Sequence, residues 1–235
     1  MRLEVIPSPY YGANCVVATQ GAGQPALVID PSAGITDKIK AALDQQGATL
    51  AGVLLTHGHP DHVWEAAEVA SWNDVPCWLP GPDRYRMDDP MGRVTNPPGV
   101  DLPPWRIPED LRDVPAGSVE IIPGAWMKMV PAPGHTEGSA VFLFHSPVEI
   151  VVDGTVEYSS ELPAPWALSG DVLFAGSVGR TDLPGGDETH MRHSLRTIAN
   201  AVDPQTRVIP GHGPLTTLAR EIESNPYLIR AMRIG

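Results

Sequence analysis

The chain of 235 residues is long enough to bury a sizeable core and short enough for one large domain, which we expect to span residues 1–235. No segment approaches the roughly 18 consecutive apolar residues of a membrane-spanning helix, so a water-soluble protein without a membrane partner is expected. A formal net charge of -12 sets up a field that repels polyanions and disfavours nucleic acid as a partner.

The N-terminal stretch MRLEVIPSPYYGANC has neither the apolar core nor the small-residue cleavage site of a signal peptide, which favours the cytoplasm. VVATQ (16–20), ALVID (26–30) and LAGVLLT (50–56) are predicted strands bounded by Gly and Pro, and TDKIKAALDQQ (36–46) is a predicted helix between the last two. HVWEAAEVASWN (62–73) repeats apolar residues at helical spacing, with Val63, Ala66, Ala67 and Ala70 near one face, and predicts a second helix. Strand patterns resume with VPCWL (75–79). Residues 80–108 then hold eight prolines, which remove backbone donors. A long loop is expected there, either a surface insertion or a lid over a site. VEII (119–122), WMKMV (126–130), AVFLF (140–144) and EIVVD (149–153) are further strands, too many for one small sheet, so two sheets are expected. ETHMRHSLRTIANAV (188–202) reads as a helix, RVIP (207–210) as a strand and TTLAREIE (216–223) as a last helix. Cys15 and Cys77 lie in separate apolar segments and are expected to be buried thiols without a disulfide.

Chemistry concentrates in VLLTHGHPDH (53–62), where three of the eight histidines and an aspartate follow an apolar strand. His57, His59, Asp61 and His62 stand where a strand gives way to a helix, a usual place for a site in folds of this kind. Imidazole and carboxylate suit a borderline divalent ion such as zinc. Four donors in six positions exceed what one catalytic ion draws from one segment, which points to two ions. His135 in PAPGHTEGS (131–139) and His212 in IPGHGP (209–214) lie in Gly-flanked turns after strands, and each is weak support alone. Asp171 in LSGDVLFAG (168–176) ends an apolar run, where an unpaired carboxylate is costly unless a cation compensates it. His145, His190 and His193 have no such setting.

The ordered motifs THGHPDH, PGHTEGS, GDVLFAGSVGRTDLPGGD, IPGHGPLTTL and NPYL cover nearly the whole chain. Together they resemble the metallo-β-lactamase-fold hydrolases, and among them the compact glyoxalase II-like (hydroxyacylglutathione hydrolase-like) group. The resemblance implies an α+β fold, a four-layer αββα sandwich with the site at one edge of the two sheets. It assigns His57, His59 and His135 to one ion, Asp61, His62 and His212 to a second, and Asp171 to both. The cofactors so implied are two divalent metal ions, zinc in first place and iron or manganese as alternatives.

Two such ions make hydroxide available at neutral pH and polarise a carbonyl, and a thiolate leaves without much protonation. The expected activity is therefore hydrolysis of an acyl thioester of a small thiol by metal-bound hydroxide, with Asp61 and Asp171 catalytic as well as ligating. Arg180 matches the thiol-binding lysine of glyoxalase II enzymes and is the expected substrate contact; a structural pair with Asp182 or Asp187 is the alternative. Asp182 stands where those enzymes carry a tyrosine, which opens the way to thiols other than glutathione. Glu137 replaces a proline beside His135. The rival enzyme is a mononuclear iron persulfide dioxygenase, whose family shares GRTD and would use His57, His135 and Asp171. The terminal PGHGP favours the hydrolases. A β-lactamase, a nuclease and a non-catalytic scaffold are less favoured.

Overall fold

The computed structural model describes residues 1–92 and 101–233. In chain order the elements are β1 (Arg2–Pro7), β2 (Asn14–Thr19), β3 (Pro25–Ile29), α1 (Thr36–Gln46), β4 (Thr49–Leu54), α2 (Pro60–Val63), α3 (Ala66–Ser71) and β5 (Cys77–Leu79). A 3-10 helix (Gly81–Asp88), β6 (Leu111–Asp113), β7 (Ser118–Ile122), β8 (Ala125–Pro131), β9 (Ala140–Val152) and β10 (Thr155–Gly170) follow. The chain continues through α4 (Glu188–Ala201), β11 (Arg207–Pro210), β12 (Thr216–Thr217), α5 (Leu218–Ser224) and α6 (Pro226–Arg233). No helix among the described residues is long and apolar enough to cross a membrane.

Strand pairing runs continuously from β6 through β5, β4, β3, β2 and β1 to β9, then through β10 and β11 to β12, with β8 and β7 branching from β9. The long β9–β10 hairpin belongs to two sheets. Near its turn β9 runs parallel to β1, with Leu3 opposite Ile150, whereas its first residues pair antiparallel with β8, with Val130 opposite Val141. Register is irregular between Ser160 and Ala164 of β10, the kind of break by which a strand passes from one sheet to its neighbour. The turn itself is Asp153-Gly154, both in the left-handed region at φ 45 and 78, as a tight hairpin requires.

Alternation along the strands sorts side chains into three apolar layers. Leu3, Val5, Val16, Ala18, Leu27 and Ile29 of one sheet face Met127, Phe142, Phe144, Trp166, Leu168 and Ile209 of the other. Their neighbours Cys15, Val17, Ala26 and Val28 point the opposite way, onto Ile39 and Leu43 of α1 and Val69 of α3. Behind the second sheet, Val141, Ala167 and Val208 meet Met191, Leu195 and Ile198 of α4 and Leu228 of α6. Helices on the outer faces of two stacked sheets make the expected αββα sandwich. Each fully buried large side chain of these layers contributes about 1.5–3 kcal/mol.

The expected 36–46 helix forms with those bounds and stops at Gly47, a left-handed residue whose N–H reaches Leu43 and Asp44 carbonyls. The single helix expected over 62–73 is broken into α2 and α3 by Glu65. Its N–H bonds to the Pro31 carbonyl, and its buried carboxylate accepts the N–H groups of Gly34, Ile35 and Thr36 at 2.7, 3.2 and 3.1 Å, capping α1. The proline-rich stretch expected to be a loop contains the 3-10 helix Gly81–Asp88; residues 93–100 of it lie outside the described part. The helix expected from residue 216 begins at Leu218, after Thr217 caps it by accepting Arg220 N–H. The two strands expected at 140–144 and 149–153 are one, β9.

Candidate metal centre

One edge of the sandwich gathers the loops that carry the predicted donors. His57 follows β4, His59 to His62 open α2 with Pro60 at its first position, His135 lies between β8 and β9, Asp171 follows β10 and His212 follows β11. All seven candidate ligands converge. His59 Nδ1 and His135 Nε2 are 2.7 Å apart, and the His57 ring is 5.0 and 4.8 Å from those two rings. His62 Nε2 lies 3.3 Å from His212 Nε2, which is 3.1 Å from Asp61 Oδ2. Asp171 stands between the sets: its Oδ2 is 3.4 Å from His135 Nε2 and 3.6 Å from His212 Nε2, and its Oδ1 is 3.3 Å from His62 Nε2. Donor atoms of His57, His59 and His135 lie within 4.8 Å of one another, as do those of Asp61, His62 and His212, and those of His57, His62 and Asp171.

These groups suit cations. His57 Nε2 and Asp171 Oδ1 are buried with no hydrogen-bond partner among the described residues, a costly arrangement for convergent acceptors unless a positive centre satisfies them. Three of the rings are also set in a ligating tautomer. Thr56 donates its hydroxyl to Asp30 Oδ2 at 2.7 Å, so its oxygen accepts from His57 Nδ1 at 3.1 Å and leaves Nε2 free. His62 Nδ1 donates to the same Asp30 oxygen at 2.9 Å, and His135 Nδ1 donates to the Arg180 carbonyl at 2.7 Å. Supports of this kind fix orientation and raise ligand basicity.

Electrostatics agree. Burial, aided by the neighbouring rings, pushes His57 well below the ordinary imidazole range and His59 down to about 3, so both are neutral donors. Burial opposes a charge on His62 but Asp171, Asp61 and Asp30 outweigh it and raise this ring. Burial likewise opposes charge on Asp61 and Asp171, and the surrounding histidines, His62 foremost, outweigh it and hold both carboxyls low. Two glycines packed against Asp171 are forced by close approach. A Cβ at Gly211 would overlap Asp171 Oδ1, and one at Gly179 would overlap the Asp171 carbonyl.

With seven donors grouped in this way on this fold, comparison with known proteins is decisive at the level of family: residues 9–152 match the metallo-beta-lactamase superfamily. The chain belongs to that superfamily. Among its relatives is hydroxyacylglutathione hydrolase GloC of Haemophilus influenzae, 28% identical over 97% of this chain and 98% of that protein. Solved structures similar to it include BLEG-1 B3 metallo-beta-lactamase, at 28% identity and TM-score 0.75 over 96% of this chain and 99% of that one. TTHA1623 in a di-iron-bound form is 29% identical with TM-score 0.68, covering 94% of this chain and 96% of that one.

In this superfamily member the Arg180 side chain is exposed and makes a bidentate pair with Asp182 at 2.6 and 2.7 Å. That is one of the structural pairings the sequence left open; Asp187 instead caps α4 through His190 N–H. His145 sits on β9, and His190 and His193 on α4, away from the donors. Sequence reasoning missed Asp30 and Asp83. Asp83, fully buried in the proline-rich stretch, accepts Gly58 N–H and the Thr136 hydroxyl on Oδ2 and Gly138 N–H on Oδ1, each at 2.7 Å. It clamps the His57–His59 loop to the His135 loop. The same stretch borders the centre, for His59, Tyr85, Arg86, Met91 and Pro184 line a cavity of about 230 Å³. Asp30 ends a predicted strand beside the first motif, a position that could have marked it; Asp83 carried no such signal.

Proposed function

We propose that this protein is a dinuclear metallohydrolase that cleaves an acyl thioester of a small thiol, as glyoxalase II-like enzymes do. The position of Asp171, with one oxygen facing His135 and His212 and the other facing His62, carries the reading, because one carboxylate shared by two donor sets is what two ions require. Zinc is the first candidate, with iron or manganese as alternatives, and the di-iron form of a 29% identical relative supports a pair of ions. Bound there, two divalent ions would supply hydroxide at neutral pH and a Lewis acid for the thioester carbonyl. His57, His59 and His135 would hold one, Asp61, His62 and His212 the other. Asp61 and Asp171 present carboxylate oxygens into the space between, where they orient a nucleophilic water and balance charge. The cavity beside His59 receives the acyl portion, and Arg180 attracts an anionic thiol. A thiolate leaving group needs little protonation, so the reaction places little demand on a general acid.

The name of GloC supports a hydroxyacyl thioester as substrate. Purified protein reconstituted with zinc, iron or manganese should release thiol from an acyl thioester with oxygen excluded, at about two ions per chain. Oxygen consumption with a persulfide, together with no thioester cleavage under any metal, would instead assign it to the persulfide dioxygenases.

A further inference from the structure

The loop that supports His135 also forms the wall of a second cavity. Val178, Gly179, Arg180 and Thr181 face α4 and α6 across a space of about 290 Å³, and none of the seven donors lines it. Its floor is apolar, from buried Met191 and Leu195 of α4. Its rim is cationic and aromatic. Arg180 comes from the loop, Arg192 from α4, and Arg230 and Tyr227 from α6. Three guanidinium groups from three segments lie among three carboxylates: Asp182 pairs with Arg180, a single oxygen of Glu188 faces Arg192 at 2.9 Å and Arg230 at 3.9 Å, and Asp187 also feels the charge of Arg192. Arg230 makes no hydrogen bond among the described residues, and its separation from Glu188 leaves its planar fork of donors uncommitted. Three guanidinium groups gathered around one apolar floor are unusual on a protein of net charge -12, and the free fork of Arg230 can take an anion there.

We infer that this cavity is a binding site, separate from the metal centre, for a small molecule with a phosphate or carboxylate head and an apolar body. Arginine forks match either head by paired hydrogen bonds, and Met191 and Leu195 take the body. Occupancy would bear on the centre through one covalent segment, since the carbonyl that holds His135 Nδ1 belongs to the wall residue Arg180.

The test uses the metal-loaded protein and two probes, phenyl phosphate and benzoate, titrated calorimetrically, with phenol as the uncharged control. At least one probe is expected to bind saturably below millimolar concentration, and the double variant Arg192→Gln with Arg230→Gln should weaken it at least tenfold. Arg230 is exposed, Arg192 half-buried, and both lie outside the donor set, so unchanged metal content and unfolding temperature certify the variant's fold. Tyr227→Ala, also exposed, provides an independent loss of affinity. The two probes separate the phosphate from the carboxylate source. Binding that survives the double variant would locate the anion at the metals, and equal binding of phenol would remove the role of charge. Either result, or no saturation by ten millimolar, overturns the inference.

Discussion

Replacing Asp83 by alanine should destabilise the protein more than any other single change near the centre that spares the ligands. The carboxylate is fully buried and accepts from Gly58 N–H, Gly138 N–H and the Thr136 hydroxyl at 2.7 Å, and from Arg86 Nε at 3.3 Å. In the variant the Thr136 hydroxyl can turn to Ser139 Oγ, 2.8 Å away, and Arg86 keeps Glu137 and the Pro184 carbonyl. The two glycine amides have no such recourse. Each buried donor left without an acceptor costs about 1–3 kcal/mol, and removing one member of a buried charged network costs about 3–5 kcal/mol. We expect a loss of about 3–5 kcal/mol, which for a domain of this size lowers Tm by roughly 6–20 °C. Asp83→Asn keeps one oxygen but turns an NH2 toward a donor, and should cost about half as much. Calorimetry of metal-loaded protein, with Asp88→Ala as an exposed control expected within about 0.5 kcal/mol, makes the measurement. An Asp83→Ala protein within 1 kcal/mol of the wild type and with full metal content would refute the clamp.

Metal content by mass spectrometry after dialysis should be about two ions per chain; Asp171→Asn should fall below one, whereas His212→Ala should keep about one. Asp30→Asn places an amide N–H against Thr56 N–H or His62 Nδ1–H, so affinity for the ion held by His62 should fall about 10–100-fold in a chelator competition. Arg180→Ala should raise the KM for an anionic thioester roughly tenfold, a modest factor because Asp182 competes for the guanidinium, and leave a neutral thioester unaffected. Equal losses on both substrates would show that Arg180 holds the loop.

The convergence of the candidate donors was legible because ligand chemistry restricts residue type as well as spacing, and His57, His59, Asp61 and His62 stand together behind one strand. The supports were not, since an aspartate accepting backbone N–H groups can stand anywhere in a chain, and Asp83 does so 26 residues after His57 in sequence hidden by prolines. Two-sheet architecture followed from strand number, yet the β9–β10 hairpin went unnoticed even though Asp153-Gly154 is a strong turn signal. The reading ended a strand at Asp153 and missed that β10 continues to Gly170, because ELPAP (161–165) carries two prolines. Pro163 falls at the register break where pairing is already interrupted, and Pro165 pairs with His145 just beyond it. Helix 62–73 failed for a tertiary reason, the diversion of Glu65 to α1, that no local pattern expresses.

The pairing of β1 with β9 has a consequence for the newborn chain. β1 is made long before its parallel neighbour β9, with Arg2 opposite Glu149, and such distant contacts are slow to form. His62 and His212 are 150 residues apart, so at about 5–20 residues per second their synthesis is separated by roughly 8–30 s. During that interval the His57–His62 segment is a short chelating peptide with no opposing half. On the dinuclear reading, capture of both ions must await β11 and His212, and a translational pause before β11 would lengthen the period in which the wrong metal could be taken up.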